Sequence, residues 1–485
     1  MRLLNLKSKK IVSYLMCVAL LLTNTVFLSG CKSSEEEDVI VLRVSNWEEY
    51  IDEGDWDEEE TIELENGTVI CPETSMIEDF EAWFYETYGK KVKVEYSTFG
   101  TNEELYNQMS MGDTYDLVCP SEYMIMKMMT EDMLLPYSDS FYDETIETNY
   151  YAKCVSPYIK NVYDELSING EALSKYAAGY MWGTLGIVYN PEEVTEEEAS
   201  HWNMLLMKKF NKRVTIKDSV RDAYFAGNSI YNEELLLSED FINADDYYAQ
   251  MEVILNSTDK ATVNSVEEIL SDIKDNVYSF ETDSGKADMV SGKVVANQQW
   301  SGDAVYTLDQ AEEEGVILCY SAPEEATNLW FDGWCMLKDG IGEDADKQLA
   351  AEAFVNFLSK PENAIRNMWY IGYTSVISGG EDESILQYAE FLYSSDDEED
   401  MVPYPIAYFF TGEDEANLDE ETIEAYTIYT YEDQINRQLF AQYPPEDVMK
   451  RSVVMAYFDK EGNERINQMW LNVRCFDLYE YLSGD

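Results

Sequence analysis

The sequence predicts an α/β protein with mostly parallel sheets. Short apolar runs alternate with helical patterns over much of its length. Several of those helices open on capping boxes and close on glycine or proline. A chain of 485 residues also gives room for two or three domains of ordinary size. In such sheets ligands bind beyond the carboxyl ends of the strands.

The chain opens with a leader. Arg2, Lys7, Lys9 and Lys10 precede an apolar stretch from Ile11 to Leu22, followed by Leu28-Ser29-Gly30-Cys31. Basic, apolar and small-residue regions in that order describe a secretory signal peptide over residues 1–30. The Leu-Ser-Gly-Cys run resembles a bacterial lipobox, whose cysteine is acylated and becomes the mature N-terminus. Residues 31–38 are then a short acidic tether. No other segment approaches the roughly 20 apolar residues a membrane span needs.

Val39, Ile40, Val41, Leu42 and Val44 read as a buried strand running into Asn46-Trp47-Glu48-Glu49-Tyr50. An indole, a carboxylate and a phenol at a strand end can clamp an organic cation. Residues 52–73 interrupt the rhythm as an acidic surface loop or inserted hairpin, with turn signals at Gly54 and Asn66-Gly67. The run from Asp55 to Glu60 offers hard oxygens but lacks the spacing and glycine of a calcium loop, so it reads as solvated. Ser75 and Glu78 form a capping box for a helix through Phe80, Phe84 and Tyr88 that stops at Gly89. Val92, Val94 and Tyr96 alternate as a strand. Thr101 and Glu104 suggest a second capping box, leading into Leu105 and Met109. Leu117 and Val118 form another short strand, and Ser121 begins the next helix. Asp344 to Leu358 reads as a helix with Leu349, Phe354, Val355 and Leu358 inward, ended before Pro361. Residues 379–442 are acidic and tyrosine-rich, too apolar for a plain linker, and read as a partly structured insertion.

Composition excludes several classes of function. The net charge is −64, and removing residues 1–30 takes away four basic and no acidic residues, giving −68. Such a field excludes nucleic acid and anionic headgroups as partners and speeds the capture of cations. The single histidine, His201, leaves neither a Cys/His metal cluster nor triad catalysis to propose. The six cysteines after Cys31 form no CxxC pair. Acid pairs such as Asp113/Asp116 are weak evidence for glycosidase chemistry in so acidic a chain. Neither catalysis nor a cofactor or metal is expected.

The pairing of aromatic and acid recurs. Trp300 lies in Gln-Trp300-Ser-Gly302-Asp303, and Trp330-Phe331-Asp332 repeats the alternation with Trp330 and Asp332 on one side of an extended segment. Tyr373 follows in Ile371-Gly372-Tyr373-Thr374.

With Tyr115-Asp-Leu-Val118-Cys-Pro-Ser121-Glu-Tyr123, Tyr180-Met-Trp-Gly183, His201-Trp202 and Lys217-Asp-Ser-Val-Arg-Asp222, these segments fall in a common order. From about Leu42 to Arg474 they resemble the spermidine/putrescine-binding proteins that deliver polyamines to ABC importers. That resemblance implies a two-lobed, type II periplasmic-binding-protein clamshell, with the ligand cleft between lobes. Lobe 1 is expected over 39–183 plus 331–378, and lobe 2 over 184–330 plus 379–485. Crossings are expected near Gly183, Trp330 and Tyr373–Gly380.

By position, Trp47, Tyr50, Trp300, Trp330 and Tyr373 match the aromatic walls along the polyamine's methylene chain. Asp332 matches the carboxylate that pairs with one ammonium. Glu49, Ser121 and Tyr123 match polar contacts, and Asp222 stands where the family often has glutamate. Ser219 stands where spermidine binders can carry a second aspartate, and Met455 replaces a glutamine contact. A preference between putrescine and spermidine is therefore not inherited. The expected protein is a monomeric, exported receptor, held on the outer face of the bacterial cell membrane through Cys31 (or periplasmic), that passes a polyamine to ABC permease subunits. The alternatives are a receptor for another cationic or polar solute, such as an amino-acid derivative or sugar, an exported hydrolase on the same scaffold, or a surface adhesin using the tyrosine-rich insertion.

Overall fold

The computed structural model describes residues 39–394 and 401–475. The expected signal peptide, Cys31 and the expected tether lie outside the described residues. The first half follows the sequence cues closely. β1 (Val39–Trp47) is followed by α1 (Met76–Tyr88), opened by the reciprocal Ser75–Glu78 capping box and closed by Gly89 in the left-handed region (φ 66°). β2 (Lys91–Phe99) and α2 (Asn102–Met111) come next. Here Thr101 caps the Glu104 amide, but the Glu104 carboxylate reaches back to Gly100 N–H rather than to Thr101, so the second capping box is only half formed. β3 (Leu117–Val118) leads through Ser121 into α3 (Glu122–Thr130).

The long strand β4 (Ala177–Tyr189) is buried throughout. Beyond it lie β5 (Val214–Lys217), α4 (Val220–Tyr231), β6 (Ser279–Glu281), β7 (Ala296–Trp300) and α5 (Ser301–Glu313). A second long buried strand, β8 (Thr327–Leu337), precedes α6 (Ala345–Leu358), α7 (Pro361–Ile371) and β9 (Thr374–Ser375). The main sheet runs β6-β5-β7-β4-β8-β3-β1-β2. Pairing is parallel within each wing, at β1–β2, β1–β3, β5–β6 and β5–β7. It is antiparallel where β4 meets β7 and β8, so the sheet is mixed rather than mostly parallel. The reason is that β4 and β8 run between the wings in opposite directions.

Side chains sort into two main cores and a small third one. Residues of β1, β2, α1 and α6 pack with Ala177–Trp182 of β4 in the first core. From Leu185 onward β4 sends Leu185, Ile187 and Tyr189 into the second core, which α4 also fills, and Val188 into the third. β8 makes the return, with Ala326 just before it in the second core and Leu329 in the first.

The segment after Tyr373 differs from expectation. The sequence places residues 379–485 in the second lobe, with a crossing near Tyr373–Gly380. Instead α8 (Ser384–Tyr393), β10 (Met401–Pro405), α9 (Ala407–Thr411) and β11 (Thr427–Tyr431) send Ile385, Tyr404, Phe409 and Ile428 into the first core. Phe409 stacks on Trp182, with ring centroids 5.5 Å apart. Ala441 reaches the small third core, and the chain passes to the second around residues 449–455, where Met449 and Val454 face the first core and Val453 and Met455 the second. A tyrosine-rich segment is amphipathic on both sides of a fold, and its composition does not say which core it covers.

The 52–73 segment does contain a small hairpin, turning at Asn66-Gly67 between Ile62–Glu63 and Val69–Ile70. Residues on either side of the largely exposed run from Asp55 to Glu60 tie the segment to the fold. Fully buried Asp52 pairs with Arg366 at 2.6 Å, and Asn66 hydrogen-bonds to Ser384 and Gln387 on α8. Among the described residues no helix is long and apolar enough to cross a membrane.

Candidate functional site

The site forms where β1, β3 and the middle of β8 come together, facing the ends of β5 and β7. Its central residue is Asp332. Between the pairs Phe331–Trp182 and Gly333–Gly179 the ladder shifts register, so Asp332 alone faces Met181 and Tyr180 of β4. A bulge of this kind bends the strand and re-aims a side chain. Asp332 consequently bridges sideways to Ser121, beyond β3, and Gly333 N–H donates to Pro120 C=O.

Two hydroxyls hold the carboxylate. Tyr50 Oη donates to Oδ2 at 2.8 Å and Ser121 Oγ donates to Oδ1 at 2.7 Å. Asp332 is 5% exposed, and among the described residues it makes no ion pair. Burial pushes its pKa up to about 6, against the opposing pull of the Ser121 and Tyr50 hydroxyls. The Trp47 N–H itself is buried without a hydrogen-bond partner.

Aromatic rings line the approach. Tyr50 meets Tyr373 edge-on at 5.4 Å, and Tyr373 meets Trp330 edge-on at 5.4 Å. Trp47 lies 4.7 Å from Phe99, at the end of β2. Trp330 Nε1 donates to Thr184 C=O, which fixes its ring beside the strand crossing. Gly183 is required there, because a Cβ would fall 2.2 Å from Ser301 Oγ and 2.6 Å from the Trp330 ring.

The opposing face carries charge of both signs. Asp222, in the first turn of α4, accepts from Trp300 Nε1 at 3.3 Å. Burial raises the Asp222 pKa, while Ser219, Trp300, Lys217 and Arg221 oppose the shift. Lys217 Nζ sits 4.5 Å from the centre of the Trp300 ring and 3.3 Å from Asp303 Oδ2. Asp303 also accepts from Tyr373 Oη at 3.0 Å and pairs with Lys286. Burial would raise its pKa, but Lys217 and Lys286 hold it below the ordinary carboxylate value.

The structure thus gathers Tyr50, Ser121, Trp330, Asp332 and Tyr373 into one contiguous group with Trp47 beside it. It pairs Trp300 with Asp222 on the facing side. Tyr123 joins through Asn102, which donates to both Tyr123 Oη and Ser121 Oγ at 3.1 Å, but its ring faces Arg221. Glu49 stands apart. It is exposed, on backbone with φ 54°, and makes no side-chain hydrogen bond among the described residues. The turn that brings Tyr50 inward turns Glu49 outward.

Sequence reading missed five groups at this site: Asn102, Glu122, Lys217, Arg221 and Asp303. Each is within three residues of one it singled out or inside a motif it quoted. Glu122, between Ser121 and Tyr123, is 2% exposed, and burial pushes its pKa up to about 8. Its carboxyl accepts from Phe331 N–H. The available signal was a charge standing inside an otherwise apolar run, as with Lys217 at the end of Val214-Thr-Ile-Lys217.

The profile of the family described as bacterial extracellular solute-binding protein matches residues 75–389. The chain is 26% identical over 335 residues to the spermidine/putrescine-binding periplasmic protein 1 of Haemophilus influenzae, covering 66% of this chain and 81% of that one. It is 26% identical over 318 residues to the putrescine-binding periplasmic protein PotF of Escherichia coli, covering 63% and 75%. Among solved structures, it is similar to the spermidine/putrescine ABC transporter substrate-binding protein PotD of Streptococcus pneumoniae. That match has a TM-score of 0.55 and 26% identity, and covers 90% of this chain and 98% of that one.

Proposed function

The chain belongs to the bacterial extracellular solute-binding proteins, and from that premise we propose that it captures a linear polyamine, putrescine or spermidine, and delivers it to an ABC importer. One observation carries the reading: Asp332 is a buried carboxylate with no cationic partner of its own among the described residues, set among aromatic rings. A lone buried carboxylate is unfavourable, and an ammonium supplies the missing charge. The methylene stem behind that ammonium suits the faces of Tyr50, Trp330 and Tyr373. Asp222 beside Trp300 is the partner for a second nitrogen. Trp47 adds to the aromatic wall, and Ser121 positions the Asp332 carboxylate.

Binding is closure of two lobes without bond chemistry, the closed form gaining contacts from both faces. Cys31 anchors the exported protein by lipid to the outer face of the cell membrane, which brings the receptor to its permease. Labelling of the cells with a radioactive fatty acid should mark the protein, and Cys31→Ser should abolish the label.

Isothermal titration of the protein lacking residues 1–30 tests the ligand. Putrescine or spermidine should bind, whereas a basic amino acid and a neutral oligosaccharide should not. Binding of either of those with no polyamine binding would overturn the proposal.

A further inference from the structure

Arg221 is a buried cation in a site read as a receptor for cations. It lies in the first turn of α4 and is 8% exposed. Its guanidinium carbon is 3.9 Å from the centre of the Phe458 ring and 4.6 Å from that of Tyr123. Nη2 donates to Ala456 C=O at 2.6 Å. Among the described residues it makes no ion pair. Burial draws its pKa down, and the carboxylates of Glu103 and Asp222 oppose that shift at longer range.

These contacts divide by core. Phe458 belongs to the second core, as does the α4 helix that carries Arg221. Tyr123 packs against the first core, and Glu122 and Glu103 flank it there. Tyr123 Oη donates to Glu103 Oε1 at 3.2 Å, which enriches the ring in electron density and makes it a better cation acceptor. Arg221 is therefore fixed on its own side by a ring and a carbonyl, and aimed at an acid-flanked ring on the other side.

We propose that Arg221 is the latch between the two lobes, a cation–π contact to Tyr123 that forms only when the faces meet and holds the closed form around its ligand. An Arg suits the task because its guanidinium stacks on rings and stays charged when partly desolvated. Separation of the faces breaks the Tyr123 contact and leaves the Phe458 and Ala456 contacts intact, so the latch keeps its orientation while open. Because the ligand needs the closed form, the free energy of the latch enters the measured affinity. Arg221 is a positioning residue, without contact to the ligand.

The inference rests on the polyamine reading for its choice of ligand only. Its test is a double-mutant cycle with Arg221→Ala, Tyr123→Leu and the combined variant, read by stopped-flow dissociation of the polyamine that the wild type binds. Each single variant should bind about 3- to 30-fold more weakly, chiefly through faster dissociation. The combined variant should lose little more than either alone. Arg221→Lys, which keeps charge but not the planar stack, should fall between wild type and alanine. Unchanged dissociation in Arg221→Ala, or losses that add in the combined variant, would overturn the latch. Circular-dichroism spectra equal to that of the wild type would show that the variants fold. If the wild type binds no polyamine, the reading of function falls. The latch is then judged by ligand-free small-angle scattering, where Arg221→Ala must enlarge the radius of gyration, and an unchanged radius refutes it.

Discussion

Asp332 shows at the scale of one residue what a buried, unpaired carboxylate costs in stability. An ordinary carboxyl titrates near 3.9, and this one near 6 because it is buried. The folded, ligand-free protein therefore holds a proton that the unfolded chain has released between those values. The contribution to stability is greatest below the unfolded pKa and is lost as pH rises through about 6, at a cost of about 3 kcal/mol by pH 7. Asp332→Asn removes that cost, so the unliganded variant should unfold at a higher temperature than wild type at pH 7.5, with the gain gone at pH 4. The same variant should weaken polyamine binding by about 2–5 kcal/mol in titration calorimetry. In the wild type, affinity should fall as pH drops through about 6, because a protonated Asp332 cannot pair with an ammonium. Asp332 and its rings were legible in the sequence because acid and aromatic recur together. The outward turn of Glu49 was not legible, because residue type does not reveal the positive φ that turns it to solvent.

Among the elements, the junction of β7, α5 and β9 decides whether the two faces fit. Gly302 is the second residue of α5, and a Cβ there would lie 1.3 Å from Cδ1 of Tyr373. That ring cannot retreat, since its hydroxyl is bonded to Asp303 and its edge meets Tyr50 and Trp330. Gly302→Ala should displace the start of α5, costing about 1–3 kcal/mol by denaturant unfolding. It should also weaken binding, because Trp300 and Asp303 flank the substituted position. Element ends were readable wherever one side chain decides them, as at Ser75, Gly89 and Asp344. The bulge opposite Asp332 was not, because it depends on β4 and β8, about 150 residues apart in sequence, being aligned out of step. Nor does a fully buried strand such as β4 carry alternation to mark where one core gives way to the next.

For the whole molecule, the dominant physical quantity is a net charge of −64. A cationic ligand is drawn toward such a field at distances well beyond contact, whereas its escape from a closed site is governed by local interactions. Association of spermidine should slow by about tenfold between 10 mM and 150 mM salt, with dissociation little changed, in stopped-flow fluorescence. An association rate indifferent to salt would mean that the acidic surface serves solubility alone.

The late change of core has a consequence for how the chain is made. The first core takes side chains from Leu42 to Val454, and the second from Leu185 to Val473. Neither can be completed until almost the entire polypeptide has been synthesised, unlike a protein whose N-terminal domain folds while the rest is still on the ribosome. Truncation near residue 440 should accordingly leave two incomplete halves rather than one sound lobe.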